Sequence, residues 1–95
     1  MITHMFAFRW KAGVTEEQKL RAKKEIQALQ GKIPGLLETH VGTNFSPRGQ
    51  GYEFGGVMKF TGREALEAYG PSAVHQILLA WLVPLIDAIE VDFED

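Results

Sequence analysis

Tyr69-Gly-Pro-Ser-Ala-Val-His75-Gln-Ile-Leu-Leu-Ala-Trp-Leu-Val-Pro84-Leu-Ile86 is the stretch from which the architecture is reasoned outward. From Ala73 to Ile86 it is apolar on every side except at His75 and Gln76. A helix without a polar face needs cover on several sides, so a sheet of its own and a second subunit are both expected to pack on it. Gly70-Pro71 should end one helix and open another, because glycine suits the position just past a helix end and proline cannot continue one. With Ser72 as N-cap, His75 falls among the unpaired N–H groups of the first turn, where the positive end of the helix dipole disfavours an imidazolium. A neutral imidazole in a hydrocarbon wall suits base chemistry or the binding of a polar ligand group. The competing reading is a core histidine with one satisfied hydrogen bond.

The 95 residues make one domain, residues 1–95. A chain of this size buries about two thirds of the surface its unfolded form exposes, so a partner subunit over the apolar helix would help it fold. The net charge of −2 and the absence of a Lys/Arg stripe interleaved with aromatics argue against a nucleic-acid partner. No cysteine is present, which removes disulfides, thiolate nucleophiles and Cys-ligated metals. No charged leader followed by an apolar segment stands at the N-terminus, so no signal peptide is expected. The apolar run Ile77–Ile86 is too short to span a bilayer, and a cytoplasmic location is the default expectation.

Ile2 to Trp10 alternates as a strand, with His4, Phe6, Phe8 and Trp10 on one parity and Thr3, Met5, Ala7 and Arg9 on the other. Thr15 and Gln18 form a capping-box pair, so a helix should start at Glu16, turn Leu20, Ile26 and Leu29 inward, and close at Gly31 and Pro34-Gly35. Leu36 to Thr43 reads as a second strand with Leu37, Thr39 and Val41 on one face and Glu38 and His40 on the other. Ser46 to Gly51 is a loop by composition. Tyr52 to Phe60 is a third strand, whose Gly55-Gly56 pair marks a bulge or a close approach by another group. A second capping box, Thr61 with Glu64, should open a short helix that ends at Tyr69. After the apolar helix, Ala88 to Phe93 forms a last strand, with Ile89, Val91 and Phe93 alternating against Glu90 and Asp92. The order is the ferredoxin-like βαββαβ of an α+β fold, a four-stranded antiparallel sheet with helices on one face. Met5, Ala7, Val57, Ile89, Val91 and Phe93 would lie on the bare face, and an apolar sheet face of that kind is a dimerisation surface.

Several pieces of this order carry a family resemblance: His4, Thr15-Glu-Glu-Gln18, Ile33-Pro-Gly35-Leu36, Val41-Gly-Thr-Asn-Phe45-Ser46, Lys59-Phe60, Leu66-Glu-Ala-Tyr69, His75, Leu82-Val-Pro84-Leu85 and Val91-Asp-Phe93. Together they make the chain resemble the stress-responsive A/B barrel (Dabb) family of dimeric α+β barrels over essentially its whole length. The resemblance implies a homodimer whose two sheets pack face to face, with a pocket in each subunit between sheet and helices. It also implies similarity to a plant enzyme of the family that closes a linear polyketide by aldol condensation without metal or organic cofactor. The working histidine and tyrosine of that enzyme resemble His75 and Tyr69, its first-strand histidine resembles His4, and an acidic residue near its end resembles Asp92. Two of its pocket residues are replaced here, a histidine by Phe54 and a tyrosine by Ile26, which puts the same substrate in doubt.

Strand parity agrees with such a pocket: His4, Phe6, Phe8 and Trp10 share a face with Phe54, Met58 and Phe60, looking toward Tyr69 and His75. Ile26 and Asp92 complete the expected lining. In a reactive pocket His75 takes a proton as general base, Tyr69 holds the oxyanion and His4 polarises a second carbonyl. His4, His40 and His75 lie on different elements without ligand spacing, so no metal site is expected, and no cofactor-binding motif is present. The leading reading is a non-catalytic dimeric barrel that binds a small ligand, such as a hydrophobic carbonyl or aromatic compound, or acts in stress tolerance as the family resemblance implies. The alternatives are a cofactor-free cyclase or lyase and, further off, a cofactor-independent monooxygenase sharing only the fold.

Overall fold

Alternation in the first strand sets the sheet around which the helices are arranged. The computed structural model describes all 95 residues. The elements run β1 (Ile2–Trp10), α1 (Glu16–Gln27), β2 (Leu36–Thr43), β3 (Phe54–Phe60), α2 (Arg63–Tyr69), α3 (Ala73–Leu82), a single 3₁₀ turn (Val83–Leu85) and β4 (Ile86–Glu94). The four strands are ordered β2-β3-β1-β4 and every pair is antiparallel, which is the ferredoxin-like topology.

With β1 in the middle, its parity propagates across the sheet. On the helix-covered face, rows run Ala88–Phe8–Phe54, Glu90–Phe6–Gly56–Val41, Asp92–His4–Met58–Thr39 and Glu94–Ile2–Phe60–Leu36. On the other face, Ile89–Ala7–Gly55–Gly42 and Val91–Met5–Val57–His40 lie side by side. Nothing covers that second face within the subunit, and Met5, Ile89, Val91 and Phe93 are all exposed on it. The core on the covered face joins Ile2, Phe6, Phe8, Met58 and Phe60 of the sheet to Ala22 and Ile26 of α1, Tyr69 of α2, and Leu78 and Leu82 of α3.

Local signals explain the helix starts. Both halves of the Thr15–Gln18 capping box form, with the Thr15 hydroxyl accepting from the Gln18 N–H and the Gln18 side chain accepting from the Thr15 N–H. Ser72 caps α3 as expected, its hydroxyl accepting from the His75 N–H. The capping box expected at Thr61 and Glu64 does not form. Gly62 takes the N-cap position without a side-chain bond, while the Thr61 N–H donates to the Gly35 carbonyl at 2.9 Å. Gly35 itself has φ +81, and a β-carbon there would stand 2.6 Å from the Ala65 β-carbon, so the turn into β2 needs glycine twice over.

Further expectations are corrected. The apolar helix does not run on to Ile86: Pro84 removes an N–H, the chain tightens into the 3₁₀ turn, and Ile86 already begins β4. Nor is the apolar stretch covered all round: α3 buries Leu78 and Leu82 but leaves Ile77 67 % exposed, and Val83 in the turn that follows is 52 % exposed. Leu20 is exposed too; Ala22, Ile26 and Leu29 occupy the inward face at spacings of four and three. A register shift between Leu36 and Glu38 puts Leu36 opposite Phe60 in the core and leaves Leu37 outside. The third strand starts at Phe54 rather than Tyr52 and pairs without a bulge at Gly55-Gly56. The close approach predicted there is real: the Phe6 ring lies where a side chain on Gly56 would have to go.

Candidate functional site

The break between α2 and α3 places the two polar rings that matter most. Tyr69 closes α2, Gly70-Pro71 turns the chain, and His75 stands in the first turn of α3. The rings of Tyr69 and His75 pack at 4.1 Å between centroids, inclined by 31°. Both Ser72 and the main chain hold this turn: the Ser72 hydroxyl donates to the Tyr69 carbonyl at 2.7 Å. His75 Nδ1–H donates to the Gly70 carbonyl at 2.8 Å, and Gln76 Nε2 donates to the same oxygen at 2.8 Å. In the neutral ring that bond fixes the proton on Nδ1 and leaves Nε2 with the lone pair and no partner.

Below Tyr69 lies His4, at 6.4 Å between ring centroids and edge-on. It is buried, and its Nδ1 is hydrogen-bonded to the carboxylate of Asp92, directly across the β1–β4 pair. The same logic applies: a carboxylate on Nδ1 orients the imidazole and turns Nε2 away from it. Tyr69 is packed against Phe60 at 5.4 Å and is itself buried. Burial pushes its phenol well above the ordinary value of 10.0, and the Glu90 carboxylate pushes it further in the same direction. The phenol is therefore a hydrogen-bond donor under all ordinary conditions. No other group of the chain bonds to its hydroxyl, and no side-chain nitrogen or oxygen sealed inside the protein lacks a partner, so the hydroxyl is open to the space beside it.

That space is a cavity of about 100 Å³ between the sheet and α3. Its polar lining is His4, Tyr69, His75 and Glu90; Phe6, Phe8, Ile26, Met58, Leu78 and Leu82 supply much of the apolar wall, and no lysine or arginine reaches it. Of the residues expected from the sequence, His4, Tyr69, His75, Phe6, Phe8, Ile26 and Met58 meet at this cavity. Three do not reach it. Trp10 and Phe54 pack on each other at 5.7 Å at the far end of β1, beside the start of α1, because the sheet carries them past the end of α3. Asp92 stands behind His4 and acts on the cavity only through that ring. Glu90 was missed. The signal was its parity: it shares the helix-covered face with Asp92, two residues before it along β4 and opposite Phe6. His40 lies on the uncovered sheet face opposite Val57, and the chain's three histidines do not converge with carboxylates into any cluster that could hold a metal ion.

A four-stranded antiparallel sheet with helices on one face, and a small cavity between them lined by two imidazoles and a phenol, defines a ferredoxin-like α+β domain. The sequence pattern described as Stress responsive A/B Barrel Domain matches residues 2–95, and the chain belongs to that family. Among solved structures, a dimeric ferredoxin-like protein of unknown function from Thermobifida fusca is 27 % identical, with a TM-score of 0.87 over 99 % of this chain and 90 % of that one. A second dimeric ferredoxin-like protein of unknown function, from Jannaschia, is 25 % identical, with a TM-score of 0.85 over 99 % of this chain and 98 % of its own. The hydroxynitrile lyase of Passiflora edulis shares the fold alone, at 16 % identity and a TM-score of 0.89, over 97 % of this chain and 90 % of that one. A comparison with curated proteins gives no match. No helix is long and apolar enough to cross a membrane.

Proposed function

We propose that this chain is a homodimeric A/B barrel protein that binds one small, mainly apolar carbonyl or hydroxyl compound in the cavity of each subunit. The observation that carries the reading is the pairing of a free acceptor and a free donor on one apolar wall: His75 with Nε2 unpartnered beside Tyr69 with its hydroxyl unpartnered. His75 bonds to the backbone through Nδ1, as a purely structural histidine also would; what favours a ligand is that neither its Nε2 nor the adjacent Tyr69 hydroxyl has a partner within the chain. Scaled from a cavity of about 150 Å³ that holds benzene, the space suits a ligand of roughly four to six non-hydrogen atoms. The homodimer is supported by the exposed apolar sheet face and by the dimeric relatives from Thermobifida fusca and Jannaschia.

A second reading, that the site also turns its ligand over, is favoured by the orientation of His75. An unprotonated Nε2 held by a main-chain acceptor on Nδ1 is the arrangement a general base needs. His75 would take a proton from the hydroxyl or acidic carbon of the ligand, and Tyr69 O–H would donate to the oxygen on which charge develops. The hydroxynitrile lyase of Passiflora edulis has the same fold, which supports lyase chemistry as the form such turnover would take.

The test uses thermal unfolding and turnover of wild type and His75→Ala with a panel of small aldehydes, ketones and their hydroxy derivatives. A ligand at a hundred times its dissociation constant adds about 2.7 kcal/mol to the stability of the protein it binds. Stabilisation of the wild type supports the binding reading, and turnover lost in His75→Ala supports the second. A panel in which no compound stabilises the wild type would defeat both.

A further inference from the structure

Glu90 is the one charged group that lines the cavity, and neither a base nor an oxyanion donor requires it. Its place follows from the register of β4 against β1: it stands opposite Phe6, on the same face as the His4–Asp92 pair, between Ala88 and Asp92 along the strand. No lysine or arginine lines the cavity to neutralise it, and Glu90 forms no ion pair, whereas Asp92 is committed to His4 and Glu94 to Arg63. The side chain is exposed, so it stands at the side of the cavity open to solvent. A ligand with an apolar body that buries itself against Phe6, Leu78 and Leu82 would leave its polar end near this carboxylate.

Resting on the cavity reading above, we propose that Glu90 selects the ligand by charge: the site takes small apolar compounds whose polar end is an ammonium or a neutral hydrogen-bond donor, and rejects carboxylates. Its carboxylate accepts from an amine or hydroxyl, while a ligand carboxylate brought to the same place meets a like charge in a partly desolvated setting. The apolar wall lowers the local dielectric, while the exposure of Glu90 lets solvent screen part of the repulsion, so the discrimination is moderate rather than absolute. The Tyr69 phenol responds to the same field, its proton held more tightly because the Glu90 charge faces it.

The experiment is a ¹H–¹⁵N NMR titration of the full-length protein with three compounds of matched shape: isobutylamine, isobutanol and isobutyrate. Dissociation constants are measured for wild type and for Glu90→Gln. In the wild type the amine is expected to bind about tenfold tighter than the acid, a ratio set by unit charges several ångström apart at intermediate dielectric. In Glu90→Gln that ratio should collapse to about twofold or less, with the alcohol changed little, since only the charge is removed. Binding of all three by the wild type with similar affinity, or a preference that survives in Glu90→Gln, overturns the selectivity proposal while leaving the cavity reading in place. Failure of all three to shift any resonance of cavity residues overturns both. Glu90→Ala is the second variant: if it matches Glu90→Gln the effect is the charge, and if only one of the two loses the preference, the charge account is overturned.

Discussion

Replacing Gly56 with alanine tests the packing that gives the cavity its floor. A β-carbon on Gly56 would lie 2.6 Å from Val41 Cγ1, 2.8 Å from Phe6 Cε2 and nearer still to Phe6 Cζ. Carbon atoms pack favourably at about 3.5–4.0 Å, so the Phe6 ring must shift by roughly 1 Å. It is not free to slide sideways, being stacked on Phe8 at 5.2 Å and tilted on His4 at 5.8 Å. The way left is off the sheet and into the cavity that Phe6 lines. Overpacking of this kind costs about 1–3 kcal/mol, and the alanine returns about 0.4–1 kcal/mol by restricting the unfolded chain. The net loss of about 1–2 kcal/mol corresponds to a fall in Tm of roughly 5–15 °C for a domain of this size. Urea midpoints and thermal unfolding, both at one fixed protein concentration, measure it. The same variant should bind any cavity ligand more weakly, because the ring takes up part of the space. A variant as stable as wild type, with ligand affinity intact, would show that the Phe6 ring is not held against Gly56 and would refute the account of the cavity wall.

Three further outcomes are expected. In the folded chain Tyr69 keeps its proton above its ordinary value of 10.0, whereas the unfolded chain releases it, so stability should fall as the pH rises beyond that point. One pH unit higher the loss is about 1.4 kcal/mol, and Tyr69→Phe should remove this part of the alkaline slope while altering neutral stability little; identical slopes in urea midpoints would contradict it. Asp92→Asn should cost about 1 kcal/mol, a modest figure because the Asp92 side chain is 47 % exposed and its field is screened. Its clearer effect is on the His4 tautomer, read from ring ¹⁵N shifts, and an unchanged tautomer would dismiss Asp92 as the orienting group. Val57→Asp places a charge in the middle of the uncovered sheet face, between Met5 and His40, and should make the protein run as a monomer or unfold. An intact dimer on gel filtration would contradict the use of that face.

The sequence was most informative where one local rule acted without competition. Period-two alternation in Ile2–Trp10 sorted His4, Phe6 and Phe8 onto the covered face, and antiparallel pairing carried that parity through the sheet. Thr15 and Ser72 announced two helix starts because each has a hydroxyl and an open first turn to serve. Where two rules compete, the sequence does not say which one wins. Val83 to Ile86 is apolar whether it continues a helix or enters a buried strand, and only Pro84 hinted at the change. Thr61 looked like a cap, yet its N–H was needed by Gly35 and Gly62 took the position instead. Leu37 faces outward because a register shift reverses parity, something no alternation pattern can show in advance. Within the site, the aromatic and histidine walls were legible from parity, but not how far α3 reaches along β1; that reach leaves Trp10 and Phe54 outside and brings Glu90 in.

The oxygen that receives both His75 Nδ1–H and Gln76 Nε2 belongs to the main chain of Gly70. No amino-acid exchange can delete a peptide carbonyl. Side chains around the cavity can therefore change by substitution while the acceptor that sets the direction of the His75 ring stays in place.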